Sequence, residues 1–165
     1  MKKIVVGMSG GVDSTVAVHL LQQAGYSVHG VMLRLWKAGG EITQEELRQE
    51  KLAADAASQK GVPFEVLDVR QQFRDRVVEY FIRSYESGIT PNPCFYCNRM
   101  LKFNSLLSYA DSHNIEFVSS GHYARVVQTE NAIQLLRGTD SQKDQAYMLA
   151  SLRNEQLARL VLPLG

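Results

Sequence analysis

The chain has 165 residues, of which 45% are hydrophobic and 21% charged, with 12 Gly and 4 Pro. A chain of this size and composition is typical of one soluble domain that folds without disulfides or metal. The composition excludes collagen-like, disordered and disulfide-framework proteins. The 18 Lys and Arg nearly balance the 17 Asp and Glu, leaving a formal charge of +1. Because no global field attracts a polyanion, any contact with nucleic acid requires a local patch.

The first residues of the chain and its two cysteines indicate the cellular compartment of the protein. The first apolar run, residues 4–8, is too short for a signal-peptide core or a membrane span. Two cysteines without an export signal are typical of a reducing compartment. We therefore expect a cytoplasmic protein without membrane contact, in which Cys94 and Cys97 are free thiols.

The first half of the chain alternates strand and helix patterns. β-branched runs closed by glycines alternate with apolar residues at helical spacing, and Thr43 with Glu46 forms a capping box. Such alternation predicts a Rossmann-like three-layer α/β/α fold with a mostly parallel, twisted sheet. The predicted strands are residues 3–8, 28–35 and 64–67. The first predicted helix, residues 13–24, has Val16, Leu20 and Leu21 on its core face and ends at Gly25. A polar loop through Gly39 and Gly40 precedes the second predicted helix, residues 44–60, and the third, residues 71–86, is predicted to bury Phe73, Val77, Tyr80 and Phe81.

The second half begins with a loop, residues 88–93, that its prolines keep from being helical. A helix is predicted to begin near Cys97, because the apolar residues beyond it recur at helical spacing. The apolar face of this helix is predicted to contain Phe103, Leu106, Leu107 and Ala110, and a strand is predicted at residues 117–119. Residues 123–127 and 132–136 are predicted to form a hairpin joined by residues 128–131. The last predicted element is a helical segment, residues 145–162, with a break at Asn154.

The strongest chemical signal is the hexapeptide Ser-Gly-Gly-Val-Asp-Ser at residues 9–14, where the first strand turns into the first helix. Two glycines let the backbone approach an anion, and the turn amides and the helix dipole favour phosphate. Ser9 and Ser14 can add hydroxyl donors, and Asp13 can hold Mg²⁺. A Walker-type Gly-Lys-Ser/Thr ending is absent, so this is not the ordinary loop that presents a γ-phosphate. The alternative is a purely structural Gly-Ser turn.

Cys97 is a candidate nucleophile. It is predicted at a helix N-terminus, where the dipole favours a thiolate, after a Pro-containing loop that holds it outside the core. Three alternatives remain for it: a buried apolar residue, a redox pair with Cys94, or half of an iron–sulfur or zinc site. A metal site would need ligands that a chain with two cysteines does not offer.

Five sequence blocks follow one another along the chain: residues 9–14, Thr-Pro-Asn-Pro-Cys-Phe-Tyr-Cys-Asn at 90–98, Lys102-Phe103, Gly121-His122-Tyr123 and Lys143-Asp144-Gln145. In order and spacing these blocks resemble those of the tRNA-specific 2-thiouridylases, a family of the PP-loop ATP pyrophosphatase superfamily. The first block alone is shared by the superfamily, whereas the four later blocks together point to this family, and the resemblance covers nearly the whole chain. Some members of the family carry Asp at the position of Cys94.

The resemblance implies an adenine nucleotide alpha hydrolase-like domain that uses ATP and Mg²⁺ to adenylate the C2 oxygen of wobble uridine 34 in tRNA. Pyrophosphate leaves, and sulfur from a sulfur-relay or cysteine desulfurase-type donor replaces AMP. Residues 1–165 would form the catalytic domain, with a second catalytic cysteine, and any third ligand for an iron–sulfur cluster on Cys94 and Cys97, beyond them. The implied site residues are Gly7, Met8, Ser9, Gly10, Gly11, Val12, Asp13, Ser14, Leu33 and Gly121 for ATP, Cys97 as nucleophile, Asn92, Pro93 and Cys94 beside the uracil, and Lys143, Asp144 and Gln145 for tRNA.

Three other functions compete with this reading. One is another PP-loop enzyme, of the ligase or amidotransferase type, that adenylates a small molecule. The others are a non-enzymatic ATP-binding module and a thiol redox module. His122 has two interpretations as well, a contact to the nucleotide or a structural histidine.

Overall fold

The computed structural model describes residues 1–36, 41–130 and 132–165. The strands are β1 (Lys3–Gly7), β2 (Ser27–Arg34), β3 (Phe64–Asp68), β4 (Phe117–Ser120), β5 (Ala124–Gln128), β6 (Ile133–Arg137) and β7 (Leu160–Val161). Five of them form a parallel sheet in the order β3-β2-β1-β4-β7, and β5 and β6 form a separate antiparallel hairpin.

Helices cover both faces of the parallel sheet, which confirms the predicted α/β class. Two π-helical segments, Arg74–Val78 and Asn98–Lys102, each join two α-helices into one continuous helical stretch. None of the helices in the described ranges has the length and apolarity needed to cross a membrane. The helices are α1 (Val12–Gln23), α2 (Gln44–Gln59), α3 (Arg70–Phe73), α4 (Glu79–Glu86), α5 (Pro93–Cys97), α6 (Phe103–Ser112), α7 (Ala146–Leu149) and α8 (Asn154–Leu157).

The core lies on the two faces of β1. Val5 belongs to a buried cluster with Phe103 and Leu106 of α6 on one face. Its neighbours Ile4 and Val6 belong to a second cluster on the other face, with residues of α1 and α2. Because successive strand side chains point to opposite faces, one short strand serves both layers.

Local sequence signals are confirmed at two helix ends. The Thr43 side chain accepts a hydrogen bond from the Glu46 amide (3.2 Å), and the Glu46 carboxylate accepts one from the Thr43 amide (2.9 Å). Gly25 has a φ of +83° just after α1, a conformation that favours glycine. The predictions for Gly39, Gly40 and Asn131 lie outside the described residues.

Two predicted core positions are wrong. Val16 is 39% exposed, because α1 buries Ala17, Val18 and Leu21 instead. Phe81 is 37% exposed. It follows the first π-helical segment, and a π turn carries more residues than an α turn, so a spacing of 3.6 residues does not continue through it.

The predicted start of a helix near Cys97 is wrong as well. The chain becomes helical at Pro93, and the Asn92 side chain accepts a hydrogen bond from the Phe95 amide (3.1 Å). Proline is well suited to the first helical position, where its missing N–H has no partner to lose. Cys97 therefore ends α5 rather than beginning a helix.

The last segment is helical only in part. It contains α7, α8 and then β7, which pairs with β4 at the sheet edge, where the Val118 amide also donates to the Arg159 carbonyl (2.8 Å). Residues 160–161 therefore form a strand instead of the predicted helix. Pairing with an exposed strand edge decides their conformation, and local spacing does not report such a long-range contact.

Candidate functional site

A cavity of about 310 Å³ opens at the carboxyl ends of β1 and β4. The connections from these two neighbouring strands leave the sheet in opposite directions, and open α/β sheets bind ligands at such a point. Gly10 and Gly11 lie in the loop between β1 and α1, and Val12 is the first residue of α1. The predicted ATP-binding residues that line the cavity are Gly7, Met8, Ser9, Asp13, Ser14, Leu33 and Gly121.

The loop before α1 presents its backbone to this cavity. Gly10 has a φ of +75°, and a Cβ there would lie 2.9 Å from the Gln49 carbonyl oxygen of α2. The Ser14 hydroxyl accepts from the Ser9 amide (3.3 Å) and donates to the Gly11 carbonyl (3.1 Å). Within the part of the chain that the structure describes, no side chain caps the start of α1 at Gly11. The first helical amides are therefore available to an anion.

Gly121 closes the cavity from the β4 side. A Cβ on this residue would lie 2.9 Å from the Ser14 backbone nitrogen and 3.0 Å from the Asp13 carbonyl carbon. Both neighbours are backbone atoms, which cannot move as the end of a side chain can. Glycine is thus needed here for close approach.

Lys102, which belongs to one of the family motif blocks, and His122, for which a nucleotide contact or a structural role was predicted, add polar groups to the cavity. Both line the cavity. The Lys102 ammonium makes no ion pair within the described ranges. His122 Nδ1 lies 2.7 Å from the Ser120 hydroxyl, and burial, with a smaller effect of Lys102, lowers the His122 pKa to about 4. Among the described residues, the Lys102 ammonium therefore lies without an ion-pair partner beside an imidazole that is uncharged near neutral pH.

Asp13 places a carboxylate at the mouth of the cavity. It is exposed in the first turn of α1, and its Oδ1 accepts a hydrogen bond from the Tyr123 hydroxyl (2.9 Å). The described residues contain no group of three or more His, Cys, Asp or Glu that could hold a metal ion. Mg²⁺ commonly uses one or two carboxylates together with phosphate oxygens and water, so a single Asp13 fits this ion.

The predicted tRNA residues lie next to Asp13. A second cavity, of about 330 Å³, is lined by Asp13, Tyr123, Gln142, Tyr147 and the segment 143–145. The Lys143 ammonium is 5.2 Å from the centroid of the Tyr123 ring. Asp144 Oδ1 accepts from the Gly138 (2.9 Å) and Ala146 (3.1 Å) amides, which lower its pKa. Sequence analysis missed this turn-forming role of Asp144.

Cys97 has different surroundings from those predicted. It is 4% exposed in an apolar cluster with Val69, Val77 and Leu101, and burial raises its pKa, against an opposing effect of Lys102. The prediction of an accessible, thiolate-favouring helix N-terminus is wrong, because the helix begins four residues earlier and the side chain turns into the core.

Cys94 is exposed, and both cysteines are free thiols. This confirms the prediction that neither forms a disulfide. Two cysteines, one of them buried, do not supply the three or four thiolates that an iron–sulfur cluster usually requires. The chain by itself therefore does not fit such a cluster.

The helix that carries the cysteines is held by the end of the chain. The Asn98 side-chain amide donates to the Met148 carbonyl (3.0 Å), and the Ser151 hydroxyl donates to the Phe95 carbonyl (2.9 Å). Sequence reasoning missed these contacts because they join residues about fifty positions apart. Asn92, predicted beside the target base, caps this helix, and Pro93 begins it.

The family model described as tRNA methyl transferase HUP domain matches residues 2–165. The chain belongs to this family. It is 45% identical over 170 residues to the tRNA-specific 2-thiouridylase MnmA of Chloroflexus aggregans, covering 100% of this chain and 47% of the relative. It is 41% identical over 169 residues to the protein of that name from Clostridium perfringens, covering 99% and 47%. The chain thus spans about half the length of these curated relatives, and the resemblance predicted from the motifs is confirmed.

Solved structures support the fold. A predicted subunit of tRNA methyltransferase from Methanocaldococcus jannaschii matches 99% of this chain and 68% of its own, with a TM-score of 0.56 at 20% identity. The U34-tRNA thiolase NcsA from Methanococcus maripaludis, solved with its [4Fe-4S] cluster, matches 73% of this chain and 38% of its own, with a TM-score of 0.52 at 19% identity. At these identities the likeness extends to the fold alone.

Proposed function

We propose that this chain is the ATP-binding, catalytic domain of a cytoplasmic tRNA 2-thiouridylase, an ATP-dependent sulfurtransferase. The observation that carries the proposal is the uncapped start of α1, which faces a cavity that also contains the unpaired ammonium of Lys102. Together these groups form a site for a polyphosphate. The names of the 2-thiouridylase relatives supply the class of acceptor.

ATP is proposed to bind with its phosphates against residues 9–14. The backbone amides at Gly10 and Gly11 and the first turn of α1 would hold the phosphate oxygens, and Lys102 would neutralise part of their charge. Asp13 would hold Mg²⁺, which supplies charge neutralisation for the departing pyrophosphate. Leu33 and Gly121, on opposite sides of the same cavity, would enclose the adenosine.

The proposed reaction has three displacements. The C2 oxygen of uridine 34 attacks the α-phosphorus, the bond from that phosphorus to the β-bridging oxygen breaks, and pyrophosphate leaves. A persulfide, placed on a second cysteine by a sulfur-relay donor, then attacks C2 with its outer sulfur; the C2–oxygen bond breaks, and AMP departs with that oxygen. Finally the Cys97 thiolate attacks the inner sulfur, the S–S bond breaks, the outer sulfur stays on C2, and the two cysteines are left joined in a disulfide. Binding the RNA so that its base meets ATP converts a bimolecular step into one between fixed neighbours.

The RNA would extend over two surfaces of the chain. Asn92, Pro93 and Cys94 would lie beside the uracil, and Lys143 and Gln145 would contact the tRNA, with Asp144 shaping their turn. Cys97 is the proposed nucleophile that helps release sulfur. Because it is buried, α5 must move for Cys97 to react, and the neighbouring Lys102 is the cation that would then stabilise its thiolate.

The test uses ATP labelled at the α-phosphate and an anticodon stem-loop RNA that contains uridine 34. We expect calorimetry to show Mg²⁺-dependent ATP binding, and chromatography to show AMP on the RNA with release of pyrophosphate. ADP and orthophosphate as products would overturn the proposal. Pyrophosphate release only with a small acceptor would favour another PP-loop enzyme, and ATP binding without turnover would favour a non-enzymatic module.

A further inference from the structure

We propose that Tyr123 is a positioning residue that couples RNA bound at the second cavity to Mg²⁺-ATP bound at the first, by fixing the carboxylate of Asp13. The inference rests on the proposed function, since it takes RNA and ATP as the two ligands. Its basis is that Asp13 and Gln145 line both cavities, while Tyr123 contacts both residues.

The phenol end of Tyr123 fixes Asp13. Its hydroxyl donates to Asp13 Oδ1 at 2.9 Å and leaves Oδ2 as an acceptor for a metal ion. Asp13 is otherwise an exposed side chain in the first turn of α1, with freedom to rotate. A carboxylate held in one rotamer loses less entropy when it binds a cation, so Tyr123 prepares Asp13 for Mg²⁺.

The backbone end of Tyr123 is fixed to the RNA-facing segment. Its amide donates to Gln145 Oε1 (3.1 Å), and the Gln145 amide donates to the Tyr123 carbonyl (2.8 Å). A Cβ on Gly138 would lie 2.9 Å from that same carbonyl oxygen, so the hairpin approaches Tyr123 closely from another side. Residue 123 therefore cannot shift unless residue 145 shifts with it.

Lys143 gives the second cavity its ligand chemistry. It is the cation among the described residues that line this cavity, and its ammonium lies over the Tyr123 ring. Asp144 already accepts two backbone hydrogen bonds. An RNA phosphate bound to Lys143 would hold in one position the segment to which Tyr123 is bonded.

The consequence is reciprocal coupling. If RNA orders Tyr123 and Asp13, it strengthens Mg²⁺-ATP binding, and ATP must strengthen RNA binding by the same factor. Hydrogen bonds join Gln145 to Tyr123 and Tyr123 to Asp13, and the Lys143 ammonium lies over the Tyr123 ring. We expect a coupling factor of about tenfold, within the usual range for two linked sites.

The experiment compares the wild-type chain with Tyr123→Phe, which removes only the hydroxyl. Calorimetry measures the Kd of ATP at saturating Mg²⁺, with and without the anticodon stem-loop RNA, and a Mg²⁺ titration measures half-saturation without RNA. We expect the RNA effect on the ATP Kd to fall from about tenfold to less than twofold. We also expect the variant to need severalfold more Mg²⁺. Tyr85→Phe, on the exposed side of α4, is the matched control and should match the wild type.

The outcomes separate the two proposals. Binding of both ligands to the wild type without mutual effect, or unchanged coupling and Mg²⁺ dependence in Tyr123→Phe, overturns the role of Tyr123 and leaves the proposed function intact. Absence of RNA binding to the wild type overturns the proposed function and the coupling with it. Loss of coupling in Tyr123→Phe while ATP and RNA each still bind supports the inference, because a merely structural role would not remove the mutual effect alone.

Discussion

Gly121 lies against the backbone of Ser14, so closely that a Cβ would be 2.9 Å from the Ser14 nitrogen. We predict that Gly121→Ala moves the start of α1 away from β4, lowers ATP affinity at least tenfold and lowers the free energy of unfolding by about 1–3 kcal/mol. Calorimetry and urea unfolding measure the two effects.

Gly88→Ala is the control variant that distinguishes a loss of stability from a loss of ATP affinity. Gly88 has a φ of +73° and open space around its Cα. Alanine there should cost stability of about 1 kcal/mol through the backbone alone, with unchanged ATP affinity. Equal losses of ATP affinity in both variants would show that Gly121 has no special part in the site.

Lys102 lines the cavity proposed to bind ATP, and its ammonium makes no ion pair with the residues that the structure describes. Lys102→Met should weaken ATP binding by about tenfold, the size expected for one charge-assisted contact to phosphate, and Lys102→Arg should restore most of it. Calorimetry at two salt concentrations checks this, because the wild-type affinity should fall more steeply with salt. Lys51→Met, at an exposed position of α2, is the control. Equal affinities for all variants would exclude a phosphate contact.

Cys97 is buried and Cys94 is exposed, so their reactivities should differ. Burial raises the Cys97 pKa, so the folded state favours the neutral thiol and loses stability as the pH rises above the ordinary thiol value. At pH 8 iodoacetamide should modify Cys94 well over tenfold faster, and denaturant should remove the difference. Peptide mass spectrometry measures both rates. Equal rates in the folded chain would contradict the buried position of Cys97.

The lowered pKa of His122 predicts how the free energy of unfolding depends on pH. Burial lowers its folded pKa to about 4 from 6.5. Between these values the unfolded chain binds a proton that the folded chain does not, so stability decreases as the pH falls from 6.5 to 4. The total effect is at most on the order of 3 kcal/mol.

His122→Gln should flatten this dependence in urea unfolding at a series of pH values, relative to the wild type. His19→Gln, on an exposed position of α1, should retain the wild-type slope. Identical slopes for all three proteins would mean that His122 is protonated equally in the folded and unfolded states.

The sequence predicted the sheet and the glycine turn before α1 because both depend on local chemistry. Gly10 needs a left-handed backbone and Thr43 caps its own helix, so their roles are written in residue type and spacing. The family resemblance predicted that Gly121 helps to enclose the adenosine, whereas its close contact with the Ser14 backbone is visible only in the fold.

The surroundings of Cys97 could not be read in this way. Its burial depends on Val69 and Val77, which reach it through a separate helical stretch, and on a helix that begins at a proline. Likewise, the hydrogen bond from Tyr123 to Asp13 joins residues 110 positions apart. Composition and periodicity report which face a residue occupies, whereas these contacts depend on how distant segments meet.

The π-helical segment Asn98–Lys102 separates Cys97 from Lys102 by one wide turn. Deleting a single residue within it would let an ordinary α-helix run from α5 into α6 without a break. Each residue of an α-helix turns the chain by about 100°, so Cys97 and Lys102, then four positions apart, would still lie on one face of the helix. The wide turn thus accommodates one additional residue between the thiol and the ammonium, and the sulfur chemistry proposed for Cys97 depends on Lys102 staying near it.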